Sequence, residues 1–468
     1  MSLLVLRLVR VPLAGFLLAT SQLATAQSPV SGLPFTETAL LGRFERGPID
    51  LPVRVTAADF GAVFGSANPV QWPSEAQARQ FFANGGYALQ VVRIASDIPL
   101  VEALLGDAQS LRGLHALTPI SDLRALIAPE LSRLPTSSFV STLAAFRSFL
   151  EPRGVFFILD PPPEIAGVNQ MVEWVDAFVP NDSGYCSLYF PYLKVKFGGA
   201  SAVIGASGAM AAIYGSFDNN FGIWASPAGT RSPNLSGATL SIAIASDESD
   251  LLTAHGISPI RAFAGTGVIP WGARTLDRVN PDNRYISTVR TRGWIASSIE
   301  RGLAFTSARA NDAALWTEIR QAVENYLVVL WRDGALVGTT PSQAYFVRCD
   351  ATTTSAAEIA AHRVNLQYGL AMARPAEFVV NRVTLPTYDP NRELPPISIH
   401  AALWQNRLNL SYPLERGARY VLEHNAELRN EGWIATDPPS VGDGSWYRAS
   451  LPILPGNQLY RARALPLR

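Results

Sequence analysis

Between residues 106 and 235, short and almost purely apolar runs alternate with stretches of helical periodicity. LRALIAPEL, GVFFILDPPP and YCSLYFPYLKV are the apolar runs, and TSSFVSTLAAFRSFLEPRG and GVNQMVEWVDAFV carry the helical spacing. A strand that is apolar at every residue must be covered on both faces. A mostly parallel sheet flanked by helices does this, so the fold class is expected to be α/β. Residues 28–105 alternate strands and helices in the same way. ALLGRFERGP is a strand that enters a charged turn closed by Gly47-Pro48. PVRVTAADFGAVFG predicts a strand, then a helix capped by Thr56 with Asp59 three residues on and ended by Gly65. SEAQARQFFANGG predicts a helix with Ser74 as cap and Gly85-Gly86 as stop, and YALQVVRIA a β-branched strand. Residues 201–230, rich in Gly, Ala and Ser, read as loop.

Residues 236–386 form a second block. LSIAIASDESDLLTAHG reads as strand then helix. Residues 294–330 show long helical periodicity with Trp316, Ile319, Val323 and Leu327 on one face. QAYFVRCD and EFVVNRVTL read as strands separated by the polar segment TTTSAAEIAAHR. At 387–395 the composition shifts to Pro and charge, as in a linker, and 396–468 alternate like a small β-sandwich module. Residues 1–27 allow two readings. Arg7 and Arg10 precede an apolar run over 11–19, and Ala24-Thr25-Ala26 offers a cleavage position, as in a secretory leader. The alternative is a hydrophobic arm that pairs with a neighbouring subunit. No other stretch has 18 uninterrupted apolar residues, so no stable membrane insertion of the mature chain is expected.

Composition narrows the function. With 48% apolar and 16% charged residues the chain can bury several cores, and its formal net charge of zero argues against a nucleic-acid partner. Cys186 and Cys349 sit in apolar runs and read as buried thiols. His115, His255, His362, His400 and His424 are scattered without metal-ligand spacing, so neither metal nor cofactor is expected. Asp160 ends an apolar strand, where α/β proteins often place ligands, but no phosphate-cradling G-x-x-x-x-G-K-[ST] occurs and three prolines follow. It reads as the cap of a turn. GASGA at 205–209 falls short of a nucleophile elbow because position 209 is Ala, and Ser207 has no placed histidine. Asp247, Glu248 and Asp250 stand where a helix start favours acids. The expectation is a protein that is not an enzyme.

PIRAFAGTGVIPWGART, residues 259–275, concentrates stiff and flexible residues and has no Cys, His, Asp, Glu or Ser. Gly265, Gly267 and Gly272 permit tight turns, Phe263 and Trp271 are apolar anchors, and Arg261 and Arg274 offer forks to carboxylates. Arg43, Glu45 and Arg46 form a charge cluster that reads as a solvated face or, in an assembly, as charges that set register between subunits. Together with LLGRFERGP, FGAVFG, QFFANGGYALQVVRIA, FGIWASPAG, LWTEIRQAVENYLVVLWRDGALVG, AYFVRCD and RPAEFVV, this segment resembles the contractile tail sheath proteins of phages and phage-like injection systems. The resemblance runs in order over about residues 30–386.

It implies a tail-sheath-like architecture: an N-terminal region (28–105), a non-catalytic, subtilisin-like middle region (106–235) and a C-terminal sheath domain with its arm (236–386). It further implies a helical homo-oligomer of stacked hexameric rings around an inner tube protein, with baseplate partners, assembled in the cytoplasm and later extracellular. Glu377, Phe378, Val379, Val380 and Arg382, within Glu377–Val383, match the family's C-terminal arm, which adds a strand to a neighbour's sheet. The family's Tyr-Pro-Gly-Val-like N-terminal motif is absent. The leader and the 396–468 module suggest an alternative, an exported sheath-derived surface or adhesion protein that no longer contracts.

Overall fold

The computed structural model describes residues 30–33, 37–66, 68–372, 379–389, 397–425, 433–452 and 459–466. Its centre is an eight-stranded mixed sheet built from β1 (Thr38–Gly42), β2 (Val53–Thr56), β3 (Ala88–Arg93), β4 (Ala125–Ile127), β5 (Phe156–Leu159), β6 (Cys186–Phe190), β7 (Ser258–Phe263) and β8 (Gly267–Pro270). The spatial order is β8-β7-β6-β5-β4-β1-β3-β2. The six inner strands are mutually parallel; β2 and β8 close the two edges antiparallel. The divisions expected at residues 105 and 235 both fall between strands of this one sheet. Parallel pairing is the reason, since it draws partners from distant crossovers rather than from sequence neighbours.

The wholly apolar strands distribute their side chains to two cores. Phe157 and Leu159 of β5 face one side and Phe156 and Ile158 the other. The first core is covered by α3 (Thr136–Leu150) and α4 (Val168–Phe178) through Phe139, Leu143, Phe146, Met171 and Val175. The second is covered by α1 (Ala57–Val63), α2 (Pro73–Ala83) and α5 (Ser207–Phe221), through Phe60, Phe81, Met210, Ile213, Tyr214 and Phe217. The Thr56–Asp59 capping box starts α1 as expected.

Several expectations are corrected. The 201–230 segment is loop only from Gly222 onward: Ala200–Ile204 is a strand, paired with Leu193–Phe197, and α5 follows. Its small residues permit close helix packing, because a Cβ at Gly208 would collide with the Gln77 carbonyl of α2. Ser74 does not cap α2. Pro73 is the first helical residue after Trp72, and the Ser74 hydroxyl turns inward to donate to the buried Glu130 carboxylate. Periodicity over 294–330 belongs to two helices, α7 (Ile286–Gly302) and α8 (Ala313–Arg332). Asp312 caps α8 by accepting from the Leu315 amide at 2.9 Å.

A third core lies outside the large sheet. Ile295, Ile299, Leu315, Ile319, Val323 and Leu327 of α7 and α8 pack on a three-stranded antiparallel sheet of β9 (Tyr345–Arg348), β10 (Arg363–Leu370) and β11 (Val379–Pro386). The central strand β10, RVNLQYGL, was missed in the sequence because its start was absorbed into the polar segment before it. Beyond lies the module. β12 (His400–Trp404), β13 (Arg407–Pro413) and β15 (Trp446–Pro452) form one sheet; β14 (Ala418–Asn425) and β16 (Leu459–Pro466) belong to another. They share a small core of Leu410, Tyr412, Tyr420 and Leu422.

Replacing Gly208 by Ala should destabilise the fold by about 1–3 kcal/mol through overpacking against α2. Gly199→Ala, at a turn with no atom within 4 Å of the added Cβ, should be nearly neutral. Thermal melting of both variants tests the contrast; equal midpoints would dismiss the close-packing account.

Candidate assembly surfaces

β11 contains the segment expected to leave the chain as an arm. In the single chain it pairs antiparallel with β10 over eight residue pairs, from Leu370↔Val379 to Arg363↔Pro386. Its backbone hydrogen bonds are met most readily by the adjacent β10, with Leu385 buried in the domain core and Thr384 Oγ1 donating to Asn365 Oδ1 at 2.7 Å. Arg382 is exposed on this strand, and the Val379 and Val380 backbones lie at its start. Glu377 and Phe378 lie outside the described residues. Among the described strands β11 has one neighbour, so alternate backbone N–H and C=O groups point outward from a sheet edge.

The Gly/Trp/Arg segment forms the β7–β8 hairpin at the far edge of the large sheet. Its turn needs the left-handed conformations of Gly265 (φ +80°) and Gly267 (φ +89°). Phe263 and Trp271 then meet with ring centroids 4.7 Å apart, and the Arg261 guanidinium lies 5.0 Å from one ring and 5.9 Å from the other. Trp271 remains exposed. Arg274 stacks on Tyr285 at 4.4 Å. Among the described residues neither arginine is ion-paired, so the expected carboxylate forks are cations held flat on aromatic rings at the surface.

The N-terminal charge cluster is split. Arg43 turns inward: its Nε and Nη2 donate to the Ala95 and Ile98 carbonyls at 3.2 and 2.7 Å, and its amide donates to Glu130 Oε1. Arg93, unnoticed in the sequence, gathers the carbonyls of Phe44, Glu45 and Gly47 and so shapes the turn. Glu45 and Arg46 are left exposed, Arg46 donating to the Gly61 carbonyl at 2.7 Å.

Asp160 and Ser207 do meet, but not as a reactive pair. Both are buried. The carboxylate accepts from the Ser207 amide at 2.9 Å and hydroxyl at 2.7 Å, and from Gln77 Nε2 at 3.0 Å. It therefore caps α5 across the sheet edge rather than the proline turn. Burial pushes its carboxyl up to about 6, against the pull of the Ser207 donors. Cys186 and Cys349 are buried free thiols. Glu248 accepts from the Ala245 amide at 2.8 Å at the start of α6 (Ser246–Ala254). Among the described residues there is no metal-ligating cluster, and no helix is long and apolar enough to cross a membrane.

One buried contact joins α7 to α5. Arg290 of α7 grips Asp218 of α5 through two hydrogen bonds of 2.9 and 2.5 Å, and its guanidinium lies 4.6 Å from the Tyr214 ring. Burial opposes both charges, and the bidentate contact keeps Arg290 protonated. The partners are far apart in sequence and carry no motif, so no local signal could have found them.

The comparisons bear on these elements directly. Residues 278–385, from before α7 through β11, match the phage tail sheath C-terminal domain. Among curated proteins none matches the chain in sequence. The sheath of an extracellular contractile injection system, PVC, in its contracted state is similar in structure with a TM-score of 0.62 at 24% identity; the match covers 80% of this chain and 97% of that one. The helical sheath of the anti-feeding prophage in its contracted state gives 0.62 at 24%, over 80% and 98%. The sheath tail protein from Listeria innocua gives 0.52 at 12%, over 77% and 97%. The mixed α/β fold is thus that of tail sheath proteins.

Two outcomes follow. Arg290→Met or Asp218→Asn alone should cost about 3–5 kcal/mol by leaving one buried charge unpaired, and the double variant should recover part of it. A double-mutant cycle on melting measures this; additive losses would contradict it. Asp160 is raised from 3.8 to about 6 in the folded state. Its protonated form thus favours folding below 3.8, and that contribution, about 2–3 kcal/mol, is lost as pH rises to about 6. Asp160→Asn should flatten stability across that window, and an unchanged pH profile would exclude the assignment.

Proposed function

We propose that this chain is the sheath subunit of a contractile, phage-tail-like injection particle. It polymerises as stacked hexameric rings in a helical lattice around an inner tube, joined to a baseplate, and its collective rearrangement drives the tube outward. The observation that carries this reading is the match of residues 278–385 to the phage tail sheath C-terminal domain, within a fold spanning nearly the whole length of the PVC and anti-feeding prophage sheath chains. The role is mechanical rather than catalytic: the single Ser–Asp contact at the carboxyl end of the large sheet is buried and serves as a helix cap. The particle acts outside the cell that assembles it.

The surfaces divide into two kinds of contact. β11 is a sheet edge. Pairing there with a neighbour's strand, or exchange of β11 itself through residues 377–383, links subunits by backbone bonds worth about 0.5–1.5 kcal/mol each and leaves the domains free to rotate as rigid bodies. Such head-to-tail contacts do not close on themselves, and so generate a filament. Trp271, Arg261 and Arg274 on the hairpin, and Glu45 and Arg46 near β1, are the side-chain contacts, with the aromatic–arginine stack as anchor. Arg43 supports its own loop instead. Two packings of the same rigid subunit underlie contraction. The module at 396–468 lies beyond the sheath domain and decorates the subunit.

Negative-stain microscopy of the chain with its tube partner should show sheathed tubes. Ending the chain before Val379 should abolish them while leaving a folded monomer. Trp271→Ala should weaken assembly, read as a raised critical concentration. Persistent monomers of the intact chain at high concentration with the tube present would defeat this reading.

A further inference from the structure

Arg124 is a buried guanidinium whose Nε has no hydrogen-bond partner among the described residues; the nearest opposing charge is that of Asp122. Arg124 is 5% exposed, immediately precedes β4, and makes no side-chain hydrogen bond or ion pair among the described residues; its Nε is fully enclosed. It lines a cavity of about 320 Å³ where the α/β body, α7 and the C-terminal module meet. Arg153, Arg301 and Arg416 line the same cavity. Arg301 is neutralised by Asp122. Arg153 lies 3.9 Å from the Phe149 ring and donates to the Phe149 carbonyl. Arg416 reaches from the module to the carbonyls of Glu300 at 2.8 Å and Asp443 at 3.1 Å, spending donors on neutral acceptors. Asp122, bound to Arg301, is the carboxylate whose charge acts on Arg124, while Glu300 and Asp443 line the cavity and act on Arg416; none of the three is ion-paired with Arg124. Burial pushes Arg124 down to about 10, which leaves it protonated at neutral pH. A buried cation with open donors is costly unless an anion completes it.

We propose that this cavity binds a small tetrahedral oxyanion, with phosphate as its simplest form. Arg124, Arg153 and Arg416 hold it, and its occupancy ties the module to the sheath body. Guanidinium forks match the oxygen spacing of such an anion, and three elements distant in sequence contribute one arginine each. The cavity lies apart from β11 and the β7–β8 hairpin, so this assignment stands whether or not the chain forms a sheath.

The test is calorimetric titration of the full chain with inorganic phosphate at constant ionic strength, paired with melting in chloride and in phosphate. Wild type should bind saturably at millimolar phosphate or below. Arg124→Met should lose roughly tenfold or more in affinity. In chloride that variant should melt above wild type, because it removes an unpaired buried charge, and phosphate should reverse the order. Arg416→Gln, at the surface of the module, should also weaken binding and keeps the test open if Arg124→Met folds poorly. Arg407→Gln, on β13 where it contacts Ser450, should change nothing. Equal affinity in wild type and Arg124→Met overturns the proposal, as does stabilisation that never saturates. Absence of binding to the free chain, with the cavity filled only in assembled tubes, would assign it to a carboxylate of a neighbouring copy and likewise overturn it.

Discussion

Both faces of the large sheet must be covered, and α5 is the element on which that covering turns. Its Gly-, Ala- and Ser-rich first turns lie against α2 at a distance that only small residues allow. Asp160 and Gln77 satisfy the helix's N-terminal amides, which would otherwise be buried without partners. Near the other end Asp218 receives Arg290, and with it α7 and the whole C-terminal sheath domain. One helix thus connects the sheet to the part of the molecule that carries the sheath-domain match.

That connection has mechanical consequences. In the sheath role proposed above, a subunit that adopts two lattice packings needs stiff internal joints and compliant external ones. The buried bidentate pair is stiff, because sliding it would separate charges in a low-dielectric interior. In the same reading β11 is the compliant joint: its eight-residue pairing rests mainly on backbone bonds that another copy's strand could equally supply, with Thr384 and Leu385 as its side-chain contacts. The lone chain satisfies those groups with its own β10, which also protects an edge otherwise prone to unspecific pairing.

Much of this was legible in the sequence, and the limits are physical. Apolar runs such as VFFILD have one economical fate, a central strand covered on both sides. The capping box at Thr56 depends on residues three apart. Ser74 was misread because a cap motif reports which local bonds are available, whereas Glu130, over fifty residues away, offered its hydroxyl a better one. The 201–230 segment was misread because small residues are loop-like by propensity and helix-forming only when a facing helix rewards close approach. At the surface, Arg43 and Arg46 look alike in sequence, yet one is consumed by carbonyls and the other is exposed.

What the sequence determined by itself was the set of elements and the family of folds they can build, since hydrophobic period and turn chemistry act over a few residues. What only the tertiary structure decided was which polar groups are free. Asp160 became a cap, Arg290 a buried joint, Arg124 a buried cation with no side-chain hydrogen bond among the described residues and β11 the edge of its own sheet. Each of these depends on a neighbour brought close by folding, and the energy of a buried charge or an unpaired backbone group is set by that neighbour rather than by the residue's own identity.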